Sequence, residues 1–378
     1  MDDDNITPVP SLEEIVTNER LAIEKKYSEF SPPNLKRHKP TLLKLTAMAW
    51  PIMKITSWKH YEIPKNSLNL IKSQRKYDNC IIAYDGLHRS LAEVVMDPYA
   101  INIHGGNITS MMMGNNLLRK DAGKRERRLA FSLERANVVA LVERLKNKMQ
   151  QADRVAFDMY TRLTRDICTF VYPGGTRSRD GSFKKFYSAA YQGMIDAAKV
   201  LRSTISPSKD KLLYLIHVNV DYSKTLEVRE FVAENHDPNK PHSFSMRKDL
   251  KKFFKNPGHV YVSFSEPILI HPYDDRKKLA ERSMQECLDL VKILPINIMS
   301  EAMIRLNPTP GSVINKHRLY GLIDDVIDDL SPHQHKFRRV TIGNAEKIVS
   351  RSRLPLDSRL MDMYKVYANY IGHYMPEK

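Results

Sequence analysis

Four short stretches of the chain combine residue types that can do chemistry. The first is His88-Arg-Ser-Leu-Ala-Glu93. An Asp85-Gly86 pair turns the chain after an apolar run, and an imidazole and a carboxylate follow five residues apart. A helix over residues 89–97 lets the carboxylate reach back, hold one ring nitrogen and leave the other to accept a proton. The bland alternative is a histidine satisfied at a helix start. The second stretch, Gly114-Asn-Asn-Leu-Leu-Arg119-Lys120, opens a basic run to Arg128. Such a run is ordinarily a solvated helix face, but behind a glycine that admits a ligand it can also clamp a phosphate. The third, Tyr172-Pro-Gly-Gly175-Thr176-Arg177-Ser178-Arg179-Asp-Gly181, follows a strand-like run that begins at Ile167. Its glycines allow backbone N–H groups to point inward as an anion nest, and its two guanidiniums supply forked donors suited to phosphate. The fourth, Val262-Ser-Phe264-Ser-Glu266-Pro267-Ile268, reads alone as a strand end and a proline-set turn.

In this order and spacing the four stretches resemble the four blocks of the glycerolipid acyltransferase family, in particular the bacterial glycerol-3-phosphate acyltransferases and their dihydroxyacetone-phosphate relatives. The family's H-R-S-x-x-D is met by His88-Arg-Ser, and its G-x-x-x-x-R-R by Gly114 and Arg119-Lys120. The third block is met by Tyr172, Gly175 through Arg179 and Gly181, and the fourth by Phe264, Glu266 and Pro267. Tyr222 to Glu230 and Leu294 to Leu306 also look like family regions, so the resemblance spans residues 80–330. Glu93 stands where the family has aspartate, Gly174 where it has glutamate, and Ser265 where it has glycine.

The resemblance implies that His88 is the general base and that Glu93 fixes its tautomer. It places Gly114, Arg119, Lys120, Gly175, Thr176, Arg177, Ser178, Arg179, Glu266 and Pro267 around the acceptor, with Arg119, Arg177 and Arg179 on its phosphate. The implied reaction moves a fatty acyl group from a coenzyme A or acyl carrier protein thioester to glycerol 3-phosphate or a close relative. No metal or resident cofactor is expected. Three alternatives stand beside this one. A lysophospholipid acceptor is favoured by the Gly175-Thr176 pair, a catalytically degenerate homologue by Gly174, and a nucleic-acid-binding protein by charge alone.

The elements that must position these residues read as α/β: a mixed sheet flanked by helices, like that of the glycerol-3-phosphate acyltransferases, with helical additions at both ends. Residues 1–75 are expected as a helical arm with a membrane-surface contact, 76–272 as the α/β domain, and 273–378 as a helical region. Ser11 with Glu14 marks a helix start. Cys80 to Tyr84, Ala100 to Ile103, Ile167 to Tyr172, Leu212 to Val220 and Val260 to Phe264 read as strands. Leu129 to Met149 reads as an amphipathic helix, and Asp274-Asp275, Leu319 to Leu330 and Ser358 to Tyr374 mark helices further on.

The 378 residues carry 60 Lys+Arg against 44 Asp+Glu, a formal charge of +16 that points to polyanionic partners. Nucleic acid is disfavoured among them, because no zinc spacing, aromatic RNP stripe or basic zipper is present. Anionic lipid surfaces and phosphorylated substrates remain. Lys248, Lys251, Lys252 and Lys255 are candidates for contact with the acyl carrier or with headgroups, against the alternative of a solvated helix. Cys80, Cys168 and Cys287 lack metal-ligand spacing and do not read as a disulfide framework, which fits a reducing compartment. No apolar window of membrane-spanning length occurs. Trp50 and Trp58 in the 42–58 stretch are candidate interfacial anchors, against the alternative that this arm packs on the main domain, and the expected place is cytoplasmic, on the inner face of a membrane.

Overall fold

The structure, a computed structural model, describes residues 12–33, 58–74, 79–90, 93–107, 109–114, 139–142, 145–175, 178, 180–202, 211–223, 228, 232, 259–308, 314–336 and 358–376. Eight strands form one sheet: β1 (Trp58–Glu62), β2 (Cys80–Asp85), β3 (Ser110–Gly114), β4 (Val139–Val142), β5 (Thr169–Val171), β6 (Leu212–Tyr222), β7 (His259–Phe264) and β8 (Ile268–Leu269). Their order across the sheet is β1-β7-β6-β2-β5-β3-β4, with β8 paired to β6. From β6 to β4 the pairs are parallel, whereas β7 and β8 run antiparallel to β6. The sheet is therefore mixed, as expected from the sequence.

Nine α-helices are described: α1 (Leu12–Lys26), α2 (Lys65–Ser73), α3 (Glu93–Ile103), α4 (Lys148–Leu163), α5 (Ala189–Leu201), α6 (Arg276–Asp289), α7 (Pro295–Leu306), α8 (Lys316–Asp329) and α9 (Ser358–Asn369). Successive strand residues feed opposite cores, because side chains alternate across a pleated strand. Ile81 and Ala83 of β2 face the α4–α8 side, while Ile82 and Tyr84 face α2 and α3. Burial on both faces is what makes β2 read as a continuous apolar run rather than an alternating one. The cap expected near Asp274 is formed by Asp275, whose carboxylate accepts from the N–H groups of Lys277 and Lys278 at 2.8 and 2.9 Å.

Two expectations are corrected. Ala100 to Ile103 is the end of α3 rather than a strand. Met96, Ala100 and Ile101 fall on one helical face against β2 and β6, and that spacing, not the apolar run, decides the conformation. Within Leu129 to Met149, expected as a helix, Val139–Val142 is strand β4, parallel to β3 in register, and the helix begins only at Lys148. A Val-Ala-Leu-Val run suits a sheet position whatever its flanks favour. Residues 1–75, expected as a helical arm, include β1, which joins the sheet parallel to β7. Trp58 starts that strand, while Trp50 lies outside the described residues. No described helix is long and apolar enough to cross a membrane.

Candidate functional site

Strand register brings the first and third stretches together. In the parallel β2–β5 pair, Asp85 lies opposite Val171, so the chain leaves both strands at one level of the sheet. Three residues beyond Asp85 is His88, and one beyond Val171 is Tyr172. Helix α3 opens with Glu93, whose side chain points back along the chain. Its carboxylate meets His88 Nδ1 at 2.9 Å and accepts from the Arg89 N–H at 2.8 and 3.1 Å. An ionised carboxylate only accepts, so Nδ1 carries a proton and Nε2 is the nitrogen turned away from Glu93. Glu93 is 1% exposed whereas the His88 side chain keeps 12%, so the acid is sealed and the imidazole is not.

The imidazole lies on the Tyr172 ring, with centroids 4.2 Å apart and planes 11° from parallel. The Tyr172 hydroxyl donates to Asp97 Oδ2 at 2.7 Å, and Asp97 is buried one helical turn after Glu93. Burial, then the charge of Glu93, holds the Asp97 carboxyl well above the usual carboxylate range, against smaller opposing effects of Tyr172 and Arg89. The backbone closes the arrangement: the Ser178 N–H donates to the His88 carbonyl at 2.8 Å. The loop that carries the third stretch is thereby fastened to the first.

Arg89 looks inward. Its guanidinium pairs with Asp221 at 2.7 Å, donates to Asn219 Oδ1 at 2.8 Å and to the Val220 carbonyl, and sits 5.3 Å from the Tyr370 ring centroid. Burial pulls its pKa down, but the charges of Asp221 and Glu93 outweigh that effect and push it up. It braces β6 against the His88 loop.

Gly175 takes φ +70, a conformation that L side chains rarely adopt, and its N–H donates to the Tyr172 carbonyl at 2.9 Å. Tyr187, two-thirds exposed, lies over this glycine. At the other end of the loop Gly181 has φ +82, and a Cβ built there would stand 2.0 Å from the Val366 carbonyl oxygen. Asn369 Nδ2 donates to the Asp180 carbonyl at 2.7 Å, and His373 meets Phe183 edge to face at 4.8 Å. The C-terminal helix α9 and the turn after it thus hold the loop's exit. Between these parts is a small cleft lined by His88, Gly174, Ser178, Phe183, Lys184 and others.

Of the residues singled out from the sequence, His88, Glu93, Gly175 and Ser178 come together here. Gly114 ends β3, which pairs with β5 in parallel, so the second stretch starts from the same edge of the sheet. Arg119, Lys120, Thr176, Arg177 and Arg179 lie outside the described residues, as do Lys248, Lys251, Lys252 and Lys255. The fourth stretch is across β6 from β2. Ser265 exchanges hydrogen bonds with the His217 backbone, donor to acceptor, at 3.0 Å in each direction. Glu266 beyond it is exposed and Pro267 half-buried. Asp97, the stacking role of Tyr172 and the Arg89–Asp221 pair were not read from the sequence. The spacing of Asp97 four residues after Glu93 was the available signal for the first.

Asp85, His217 and Cys287 place oxygen, nitrogen and sulfur atoms within 4.8 Å of one another in the core, a grouping that a metal can use. The Asp85 carboxylate already meets three donor-type groups. These are His217 Nδ1, the Tyr191 hydroxyl at 2.6 Å and the Cys287 thiol at 3.8 Å. The cluster is accounted for as a hydrogen-bond node that ties β2 to β6, α5 and α6. Burial, then Asp85, pushes the Cys287 thiol well up, which removes it as a nucleophile. Cys80 and Cys168 are buried free thiols as well.

No protein-family model matches the chain, and no curated protein does. Among solved structures it is similar to the crystal structure of the 1-acyl-sn-glycerophosphate (LPA) acyltransferase PlsC from Thermotoga maritima. That similarity has a TM-score of 0.40 at 14% identity and covers 72% of this chain and 92% of the other. At that distance the activity has to be argued from the site itself.

Proposed function

We propose that this chain is an acyltransferase in which His88 deprotonates a hydroxyl of a small phosphorylated glycerol, so that this oxygen attacks an acyl thioester. The observation that carries the reading is the His88 Nδ1–Glu93 contact at 2.9 Å beside the loop of Gly175 and Ser178. With Nδ1–H held by a buried carboxylate, Nε2 is a base of fixed tautomer and aim. It takes the hydroxyl proton as the acceptor oxygen bonds to the thioester carbonyl. The tetrahedral oxyanion then collapses, the C–S bond breaks, and the thiolate leaves with the proton returned by the imidazolium. Positioned proton transfer of this kind contributes on the order of 10² to 10⁴ in rate. The acceptor is itself the nucleophile, so no acyl-enzyme is required.

By resemblance, Arg119, Arg177 and Arg179 hold the acceptor phosphate, and coenzyme A or an acyl carrier protein delivers the acyl group. The excess of basic residues suits both phosphorylated partners and an anionic membrane surface. The Gly175-Thr176 pair favours a second acceptor, a lysophospholipid, within the same chemistry. The test is a panel of glycerol 3-phosphate, dihydroxyacetone phosphate and lysophosphatidic acid with both donor types, run on wild-type and His88→Ala protein. Acyl transfer by the wild type that falls by at least about 10² in His88→Ala is the expected outcome. Equal transfer by both proteins would end the proposal.

A further inference from the structure

Asp97 is a buried acid for which the reaction as written has no use. It is 1% exposed, and its Oδ1 has no hydrogen-bond partner among the described residues. Its other oxygen accepts from the Tyr172 hydroxyl at 2.7 Å. The Tyr172 ring, buried to 7% exposure, is the surface on which the His88 imidazole lies, 4.2 Å away and 11° from parallel. The ring also meets Phe170 of β5 at 5.0 Å, tilted by 55°.

We infer that Tyr172 and Asp97 are a positioning pair for the proposed base: the phenol ring is a platform that sets the plane of the His88 imidazole, and Asp97 sets the platform by fixing its hydroxyl. This rests on the acyl-transfer reading for its consequence but not for its geometry. The Glu93 contact fixes the imidazole at Nδ1, and the flat surface at stacking distance restrains the plane of the ring. Both acids stand on one face of α3, four residues apart, so one helix supplies both restraints.

The two carboxyls are not equivalent. Glu93 faces the Arg89 N–H and His88 Nδ1, groups that favour its anion. Asp97 faces Tyr172 just after β5, Glu93 from its own helix, and the more distant Arg89, while Tyr222 of β6 faces Tyr172. Ionising two buried acids one turn apart is costly, and the one with fewer donors stays protonated. A neutral acid still accepts a hydrogen bond from the Tyr172 hydroxyl through one oxygen. An amide of the same shape can replace it, and a methyl group cannot.

The experiment uses the full chain in six forms: wild type, Asp97→Ala, Asp97→Asn, Tyr172→Phe, Tyr172→Leu and, for assignment, His88→Gln. Two readouts are taken, the imidazole titration of His88 by carbon-labelled NMR, assigned by its loss in His88→Gln, and steady-state kinetics with glycerol 3-phosphate and palmitoyl-CoA. Asp97→Ala and Tyr172→Phe are expected to lower kcat about tenfold with acceptor KM within about twofold, the signature of misaim rather than lost binding. Asp97→Asn recovers most of that loss. Tyr172→Leu lowers kcat about a hundredfold and moves the His88 titration to lower pH, because an aromatic face favours the imidazolium. Tyr172→Phe keeps the ring volume and therefore guards against a fold defect in the leucine variant. The inference is overturned if Asp97→Asn is as damaging as Asp97→Ala, or if the Tyr172 variants leave kcat and the titration where they were. Should the wild type transfer no acyl group while the His88 titration still follows Tyr172, the acyl-transfer proposal fails and the platform stands.

Discussion

Glu93→Asp is the substitution that separates the geometry of this site from its resemblance to a family in which aspartate is the rule. The change withdraws the carboxylate by one C–C bond, about 1.5 Å. A contact of 2.9 Å to His88 Nδ1 then opens toward about 4.4 Å unless α3 moves, which is beyond hydrogen-bond range. The two bonds from the Arg89 N–H at 2.8 and 3.1 Å open with it, because the same carboxylate receives them. Bonds to an ionised group contribute roughly 1.5–3 kcal/mol each, and leaving buried donors unmet costs a comparable amount. Motion of the helix start toward His88 would recover part of this, and Asp97 and Met96 on the same packed face resist that motion. A net loss of about 2 kcal/mol in stability and on the order of 10² in kcat follows. Urea unfolding and steady-state assays of the purified variant measure both. An aspartate variant with wild-type turnover and stability would refute the reasoning, since the shorter acid would then orient His88 equally well from this backbone.

Two further outcomes follow from the same coordinates. Gly181→Ala places a methyl group 2.0 Å from the Val366 carbonyl oxygen at φ +82, and is expected to cost about 2–5 kcal/mol in urea unfolding. A loss below about 0.5 kcal/mol would mean that the loop and α9 do not meet as described. Asp97→Asn should gain stability relative to wild type as pH rises from about 4 to 7, because the unfolded chain gives up this proton near pH 4 while the folded chain, in which burial and Glu93 raise the pKa, keeps it. The unfolded state then binds fewer protons, so wild-type stability falls with pH by at most about 1.4 kcal/mol per unit through this group, a slope the amide lacks. Parallel urea curves at the two ends of that range that show no widening gap would contradict it.

What was legible in the sequence is what is local. His88 and Glu93 sit within one strand–turn–helix unit, so their spacing allowed the contact that the structure contains, although the helix starts at Glu93 and not at residue 89. The sheet was legible where strands are buried on both faces, as at Cys80–Asp85 and Leu212–Tyr222. It was not legible at Val139–Val142, where a short apolar run is set among residues that favour helix, nor at Trp58–Glu62, which offers Lys59, His60 and Glu62 among its five residues. Ala100 to Ile103 was misread because a buried helix turn and a buried strand are equally apolar over four residues. The partners of Arg89 were invisible for a different reason. Asn219, Asp221 and Tyr370 meet it only through tertiary folding, and no periodicity marks them.

Consider when in the life of the polypeptide such a site can exist. Tyr370 covers Arg89, and Asn369 and Val366 hold the turn at Asp180 and Gly181. During synthesis these residues are still hidden in the ribosomal tunnel after every strand of the sheet has emerged. A nascent chain can therefore build its sheet and form the His88–Glu93 pair while the loop opposite still lacks its anchor. Competence would arrive only once Val366, Asn369 and Tyr370 have emerged and docked against that loop and Arg89.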